Sequence, residues 1–352
     1  MKTVPAPLTG SGLVDTFGRP LRSVRVSVTD RCNLRCQYCM PEDEYAWLPR
    51  ETLLSFEEIN VLVGVLAEYG VDKVRLTGGE PLLRRDLPTL IRLLRGQASI
   101  RDIALTTNGV LLEEQAESLC EAGLHRITVS LDTLRPDRFH TLTKRDMFDR
   151  VLRGIARVSE VGLHGLKIDT VVIKGFNDDE IVPLIEYGKT VNGEVRFIEY
   201  MDVGGANAWV KDKVFSRDDI LLRLEQAWGP IEPEQEHSAA PAQQFRLADG
   251  TTFGIIPSTT TPFCATCDRS RLTADGFWYL CLYAKHGLDL RGPLRMNDLA
   301  TVRERIRSGW RNRIDRGAEE RKLLESSDGR GQFIELDELR QDPRLEMHVR
   351  GG

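Results

Sequence analysis

The chain has 352 residues, enough for about two domains at roughly 100–200 residues each, and its 41% hydrophobic and 29% charged side chains, with 30 glycines and 16 prolines, exclude the disordered, collagen-like and low-complexity classes. Forty-eight basic against 53 acidic side chains give a formal charge of −5, the wrong sign for a protein that coats nucleic acid. No apolar run approaches the roughly 20 residues that cross a bilayer, and Met1 to Leu21 lacks the charged start and apolar core of an export signal. A cytoplasmic protein without membrane contact is expected.

From Ser23 to Met201, short β-branched runs alternate with amphipathic segments. The first run, Ser23–Thr29, leads into Cys32, Cys36 and Cys39. A C-x3-C-x2-C match is expected by chance roughly 0.003 times at this cysteine frequency, so the spacing carries information. Three thiols with no histidine before His125 suit a four-iron cluster with one iron left open, and a zinc ion completed by a distant ligand is the alternative. Next comes a helix capped by Ser55 and Glu58, with Ile59, Leu62, Val63 and Leu66 on one face and Gly70 at its end. Strands follow at Asp72–Thr77, Arg101–Thr106, Arg126–Leu131, Leu166–Ile173 and Glu194–Tyr200. Helices are expected at Leu87–Arg95, Glu113–Ala122, Phe148–Val161 and Asp179–Lys189, with Cys120 as a small buried apolar residue.

Six βα units imply an α/β fold with a parallel sheet. Eight units close a full barrel, so six imply a partial, TIM-like (βα)6 barrel, with a doubly wound sheet as the runner-up. Either topology gathers the strand C-termini at one edge. The first cysteine loop, Gly78-Gly79, Thr106–Gly109, Ser130–Asp132 and Met201 all fall there. Alternation along the strands gives Arg25, Lys73, Arg75, Lys167 and Arg196 the chance to point inward, where a polyanionic small molecule would partner them.

The alternation ends near residue 209, which divides the chain into 1–209 and an α+β region at 210–352. This second region starts with a helix from Ser216 to about Trp228 and a Pro- and Gln-containing stretch from Glu232 to Gln244. Cys264, Cys267 and Cys281 form a second trio. Asp275-Gly276 is the dipeptide of a two-residue hairpin, which would pair Ser270 with Cys281 and return that thiol to the Cys264/Cys267 loop. His286 keeps a zinc site open as the alternative to a second cluster. Arg269 and Arg271 alternate beside this group as forked donors for phosphate. The Arg303–Arg313 run, interleaved with acids, reads as a solvated helix face. Tyr187-Gly188-Lys189-Thr190 lacks the upstream glycine of a phosphate loop, and no dinucleotide-binding glycine signature follows the first strand.

The run Ser27 to Pro41, with Cys32, Cys36 and Cys39, closely resembles the opening signature of radical S-adenosylmethionine enzymes, and Leu76-Thr77-Gly78-Gly79-Glu80-Pro81 resembles their second motif. Within that superfamily, Pro262 to Thr273 with Cys264 and Cys267, the sequel through Cys281-Leu282, and the terminal Gly351-Gly352 resemble the MoaA family of GTP 3′,8-cyclases in molybdenum-cofactor synthesis. The likeness runs from about Leu13 to the end.

This resemblance implies two [4Fe–4S] clusters, one on each trio, and S-adenosylmethionine as cosubstrate. Tyr38, Gly79, Ser130 and Met201 match the family's S-adenosylmethionine contacts. Arg25, Arg75, Thr106, Lys167, Arg269, Ser270 and Arg271 match its GTP contacts, with Lys73 and Arg196 as additions. Arg269, Arg271, Gly351 and Gly352 match its catalytic set, although Arg350 stands before the glycines where an apolar residue is expected. The implied reaction converts GTP to 3′,8-cyclo-7,8-dihydro-GTP. The implied partners are a flavodoxin- or ferredoxin-like electron donor and a MoaC-type cyclic pyranopterin synthase, and a homodimer is allowed.

Overall fold

The computed structural model describes residues 12–42, 44–203, 209–234, 239–328 and 336–351. In chain order the first region contains β1 (Ser23–Ser27), α1 (Phe56–Glu68), β2 (Lys73–Thr77), α2 (Leu87–Arg95), β3 (Asp102–Thr107), α3 (Leu112–Glu121), β4 (Arg126–Ser130), α4 (Pro136–Thr143), α5 (Phe148–Glu160), β5 (Leu166–Val172), α6 (Ile181–Thr190) and β6 (Glu194–Glu199). The second contains α7 (Arg217–Trp228), β7 (Glu232–Glu234), β8 (Gln243–Arg246), β9 (Thr252–Ile256), β10 (Arg269–Leu272), β11 (Phe277–Tyr279), β12 (Leu288–Asp289), α8 (Arg291–Arg295), α9 (Leu299–Arg311), α10 (Gly317–Asp328) and α11 (Leu336–Gln341).

The twelve strands among the described residues join one sheet in the order β12-β11-β10-β1-β2-β3-β4-β5-β6-β9-β8-β7. The six expected strands are parallel and sequential. Two more parallel strands flank them, since β10 pairs with β1 and β9 with β6. The partial barrel therefore gains a stave on each side from the second region, each continued by an antiparallel hairpin.

Residue alternation decides what faces where. Val24, Val26, Val74, Leu76, Ile103, Leu105, Ile127 and Val129 are buried beneath the helices, and each such side chain stabilises the fold by about 1.5–3 kcal/mol. The intervening positions, including Arg25, Arg75, Thr106, Thr128, Lys167 and Arg196, line the inner face. In α1, Ser55 Oγ accepts from the Glu58 backbone at 3.1 Å while Glu58 Oε2 accepts from the Ser55 backbone at 2.8 Å, the expected reciprocal cap.

The hairpin register differs from expectation. Arg271 pairs with Tyr279 and Leu272 with Trp278, so Ser270 does not oppose Cys281. The turn takes three residues, Ala274 to Gly276, because Gly276 sits in the left-handed region at φ 84° and closes a bulge. Cys281 lies two residues beyond β11. Cys120 is half-buried within α3, its Sγ 3.5 Å from the Val161 carbonyl oxygen.

Candidate functional site

All six clustered cysteines line one cavity of about 310 Å³. The first trio follows the C-terminal end of β1. The second precedes the N-terminal start of β10 and, through Cys281, follows the antiparallel β11. The two trios thus occupy opposite ends of the barrel interior, with Arg25, Arg269 and Arg271 lining the cavity between them.

At the first end, the Cys39 and Met40 amides both donate to the Cys36 carbonyl, at 2.9 and 2.7 Å, curling the loop into a tight turn. Burial, with Glu80 nearby, pushes the Cys32 thiol up to about 11, and burial likewise raises Cys36 and Cys39. These sulfurs become thiolates only with a cation to meet them. Among the described residues, no three His, Cys, Asp or Glu side chains converge on one ion position. Thiol-only trios arranged around a cavity fit iron–sulfur clusters.

Tyr38, Gly79, Ser130 and Met201 all line the cavity at this end. The Tyr38 hydroxyl donates to Asp132 Oδ2 at 2.6 Å, and the Val171 amide donates to Asp132 Oδ1 at 2.8 Å. Burial raises Asp132 to about 6 against both donors. A Cβ on Gly78 would lie 2.2 Å from the Thr29 carbonyl oxygen, and one on Gly79 2.3 Å from that of Arg31. The bare turn therefore serves packing against the cysteine loop as well as the cavity. Glu80 is completely buried and accepts from Thr107 Oγ1 (2.7 Å), the Asn108 amide (2.7 Å) and the Leu82 amide (2.9 Å). Burial nevertheless lifts its carboxyl to about 7.

The structure separates the candidate GTP residues. Arg25, Thr106, Arg269 and Arg271 reach the cavity. Burial and the mutual repulsion of Arg271, Arg75 and Arg269 lower the pKa of Arg25, the electrostatic cost of a cation cluster that an anion would relieve. Arg75 donates to Thr106 Oγ1 at 2.9 Å and Thr128 Oγ1 at 3.1 Å. Lys167 and Arg196 both engage Glu194, at 2.5 and 2.6 Å, and line the barrel wall beside the cavity. Lys73 is exposed at the N-terminal end of β2. Ser270 shares a strand face with Val24, its β1 partner, turned away from Arg269 and Arg271.

The chain's end enters this interior. Gly351 is buried at φ 66°, and its carbonyl oxygen accepts from Arg25 at 2.8 Å and Arg271 at 2.7 Å. Gly352 lies outside the described residues. Arg350 is buried too: it stacks 4.4 Å over the Tyr279 ring and donates to the carbonyls of Arg344 and Leu282, at 2.6 and 2.8 Å.

Several site residues escaped selection. Asp132 and Asn108 stood in strand-end segments already singled out, and Asn108 Nδ2 lies 3.8 Å from Cys32 Sγ. Asp169 alternates with Lys167 and lines the cavity. Arg313 departs from the solvated face expected for its run: it is buried, and donates to the Cys267 carbonyl at 2.9 Å. Burial would raise the Cys267 thiol, but Arg269 and Arg313 bring it down to about 6.

Comparisons with known proteins agree with this arrangement. The radical SAM superfamily profile matches residues 26–188, and the Molybdenum Cofactor Synthesis C profile matches residues 193–319. GTP 3′,8-cyclase 1 of Mycobacterium tuberculosis is 54% identical over 346 residues, covering 96% of this chain and 95% of the relative. GTP 3′,8-cyclase of Aquifex aeolicus is 45% identical over 316 residues, covering 89% and 96%. The solved structure of Streptococcus suis SuiB bound to S-adenosylmethionine superposes with a TM-score of 0.57 at 15% identity, covering 82% of this chain and 68% of that one, a likeness of fold. Among the described residues, no helix is long and apolar enough to cross a membrane. The two trios at the ends of one cationic cavity, the profiles and the relatives together place the chain in the GTP 3′,8-cyclase family of radical S-adenosylmethionine enzymes in molybdenum-cofactor synthesis.

Proposed function

We propose that GTP is bound and cyclised inside the barrel, between a [4Fe–4S] cluster held by Cys32, Cys36 and Cys39 and a second one held by Cys264, Cys267 and Cys281. The observation that carries this reading is the presence of both trios on one cavity with Arg25, Arg269 and Arg271 between them. When bound, the first cluster and S-adenosylmethionine supply a 5′-deoxyadenosyl radical able to remove the ribose C3′ hydrogen.

This chain's residues bind, aim and shield. Tyr38, Gly79, Ser130 and Met201 contact S-adenosylmethionine. Arg25, Arg269 and Arg271 grip the triphosphate, with Arg75 and Thr106 behind them and Lys167, Arg196 and Lys73 extending the positive field. Ser270 acts through its backbone, its side chain facing the helices. Fixing the ribose this way is positional catalysis, and the buried tail at Gly351 helps exclude water and stray hydrogen donors. We assign residues 1–209 to radical generation and 210–352 to the second cluster and substrate. A flavodoxin- or ferredoxin-like reductant, transfer of product to a MoaC-type synthase, cytoplasmic location and a homodimer complete the proposal.

The test is anaerobic incubation of reduced protein with S-adenosylmethionine and each nucleoside triphosphate in turn. Formation of 5′-deoxyadenosine together with a cyclised nucleotide is expected with GTP. Equal turnover with ATP, or turnover only with a peptide, would overturn the assignment.

A further inference from the structure

Behind the second trio stands a charged assembly that the cyclase reaction does not use. Asp15, Arg19 and Arg313 are all buried. Asp15 Oδ2 accepts from Arg19 Nε at 2.5 Å and faces Arg313 Nη1 at 3.7 Å. Each arginine then reaches the cysteine loop. Arg19 Nη1 donates to the Cys264 carbonyl at 2.9 Å, and Arg313 Nη1 to the Cys267 carbonyl at 2.9 Å. Arg313 Nη2 lies 3.6 Å from Cys267 Sγ, matched by Arg269 Nη2 at 3.6 Å from the same sulfur. The Arg313 guanidinium is locked in place: it stacks 4.4 Å over Trp310, and Thr16 Oγ1 ties down its carbonyl at 2.7 Å.

The start of α10 adds to the positive field. Backbone N–H groups of Ala318 and Glu319 face Cys264 Sγ, and those of Gly317 and Tyr283 face Cys281 Sγ; against them stand the carboxylates of Glu319 beside Cys264 and Asp315 beside Cys281, and Asp315 also faces Arg313 Nε at 3.9 Å. The first trio has no such pair of arginines on a sulfur: Glu80, Asp132 and Glu346 face Cys32, Cys36 and Cys39 respectively, with Arg35 as the opposing cation at Cys32.

We propose that Arg313, set by Asp15, is a positioning residue that raises the reduction potential of the group held by the second trio, making that site easier to reduce than the first. The inference rests on the two-cluster reading above. Hydrogen bonds to cluster sulfurs and nearby positive charge stabilise the extra electron, and buried charges are screened less than exposed ones. Arg19 holds the Cys264 side of the loop, and Asp15 and Asp315 limit the net charge.

The experiment is redox titration of the full chain carrying its clusters, followed by electron paramagnetic resonance, with iron counted in each variant. The wild-type second site is expected to have the higher potential. Arg313→Gln should lower it by at least a tenfold change in the reduction equilibrium, about 59 mV for one electron, and leave the first site unmoved. Arg313→Lys should restore most of the shift, and Asp15→Asn should raise the potential. Opposite signs for Arg313→Gln and Asp15→Asn distinguish charge tuning from loosening of the loop, which would move both the same way. An unchanged potential in Arg313→Gln with full iron, or shifts of one sign in both, overturns the proposal. If Arg313→Gln loses its iron, Asp15→Asn decides: a raised potential supports the proposal and an unchanged one overturns it. About four irons in the wild type would instead overturn the two-cluster reading itself.

Discussion

Arg271 Nη1 donates to the carbonyl oxygen of Gly351 at 2.7 Å, so the strand leaving the second trio grips the chain's end inside the barrel. Gly351 alone fits there, because a Cβ would lie 2.2 Å from Thr77 Cγ2 and the residue sits at φ 66°. A left-handed alanine costs roughly 1–2 kcal/mol before any clash. Gly351→Ala should therefore expel the tail while the fold persists. Cyclised product should fall by about 5–30-fold, with faster amide exchange confined to the last residues. Unchanged product formation would show that the tail is a bystander.

Arg271→Ala should separate substrate use from cosubstrate cleavage. A charged hydrogen bond contributes about 1.5–3 kcal/mol, or roughly 10–100-fold in KM for GTP. Uncoupled formation of 5′-deoxyadenosine should continue, because the side chain lies toward the second trio. Arg269→Ala should behave in the same way. Equal losses of both activities, measured by chromatography of the two products, would remove these arginines from the triphosphate.

Single cysteine substitutions should act locally, because the trios hang from different ends of the barrel. Cys264→Ala should reduce iron from about eight to about four atoms per chain and leave the radical-generating site able to cleave S-adenosylmethionine. Cys32→Ala should abolish that cleavage and spare the second site. Iron and acid-labile sulfide analysis with Mössbauer spectroscopy reads both outcomes.

Glu80 predicts a pH dependence. Its folded carboxyl, lifted by burial from the ordinary 4.5 to about 7, holds its proton longer than in the unfolded chain. Between those values the folded state binds more protons, so stability is full at low pH and falls as pH rises through about 7. The loss is bounded by roughly 3 kcal/mol. Metal-free protein should melt at a higher temperature near pH 5 than near pH 7.5, and Glu80→Gln should flatten that difference. A slope unchanged by the substitution would mean that other groups carry it.

Much of this was legible in the sequence because it depends on local alternation. Val24 and Val26 flank Arg25 in period two, so one face of β1 meets the helices and the other the interior, and the same reading holds for Arg75 and Lys167. What failed was non-local or shared between local solutions. Asp275-Gly276 suits two turns: the structure adopts the three-residue one, shifting the register by a residue. Asp275-Gly276 announces the β10–β11 hairpin, but nothing local announces that β9 and β10 pair in parallel with β6 and β1, which lie far away in sequence. Lys73 does face inward, yet at the open end of β2 where solvent reaches it. Arg313 sits just past a helix of exposed arginines, and only the fold brings Asp15 and Cys267 to it.

The neighbouring placement of β1 and β10 has a quantitative result. Ser23 stands level with Arg269, the cysteines of one trio come after β1, and Cys264 and Cys267 come just before β10. The five residues of β1, at roughly 3.3 Å each, run about 16 Å along the barrel between the loops that carry the two cysteine trios. Loops and outer helices can lengthen or shrink without changing that span, whereas deleting one residue from either strand would shorten it by about 3.3 Å and turn the side chains on one side of the deletion to the opposite face.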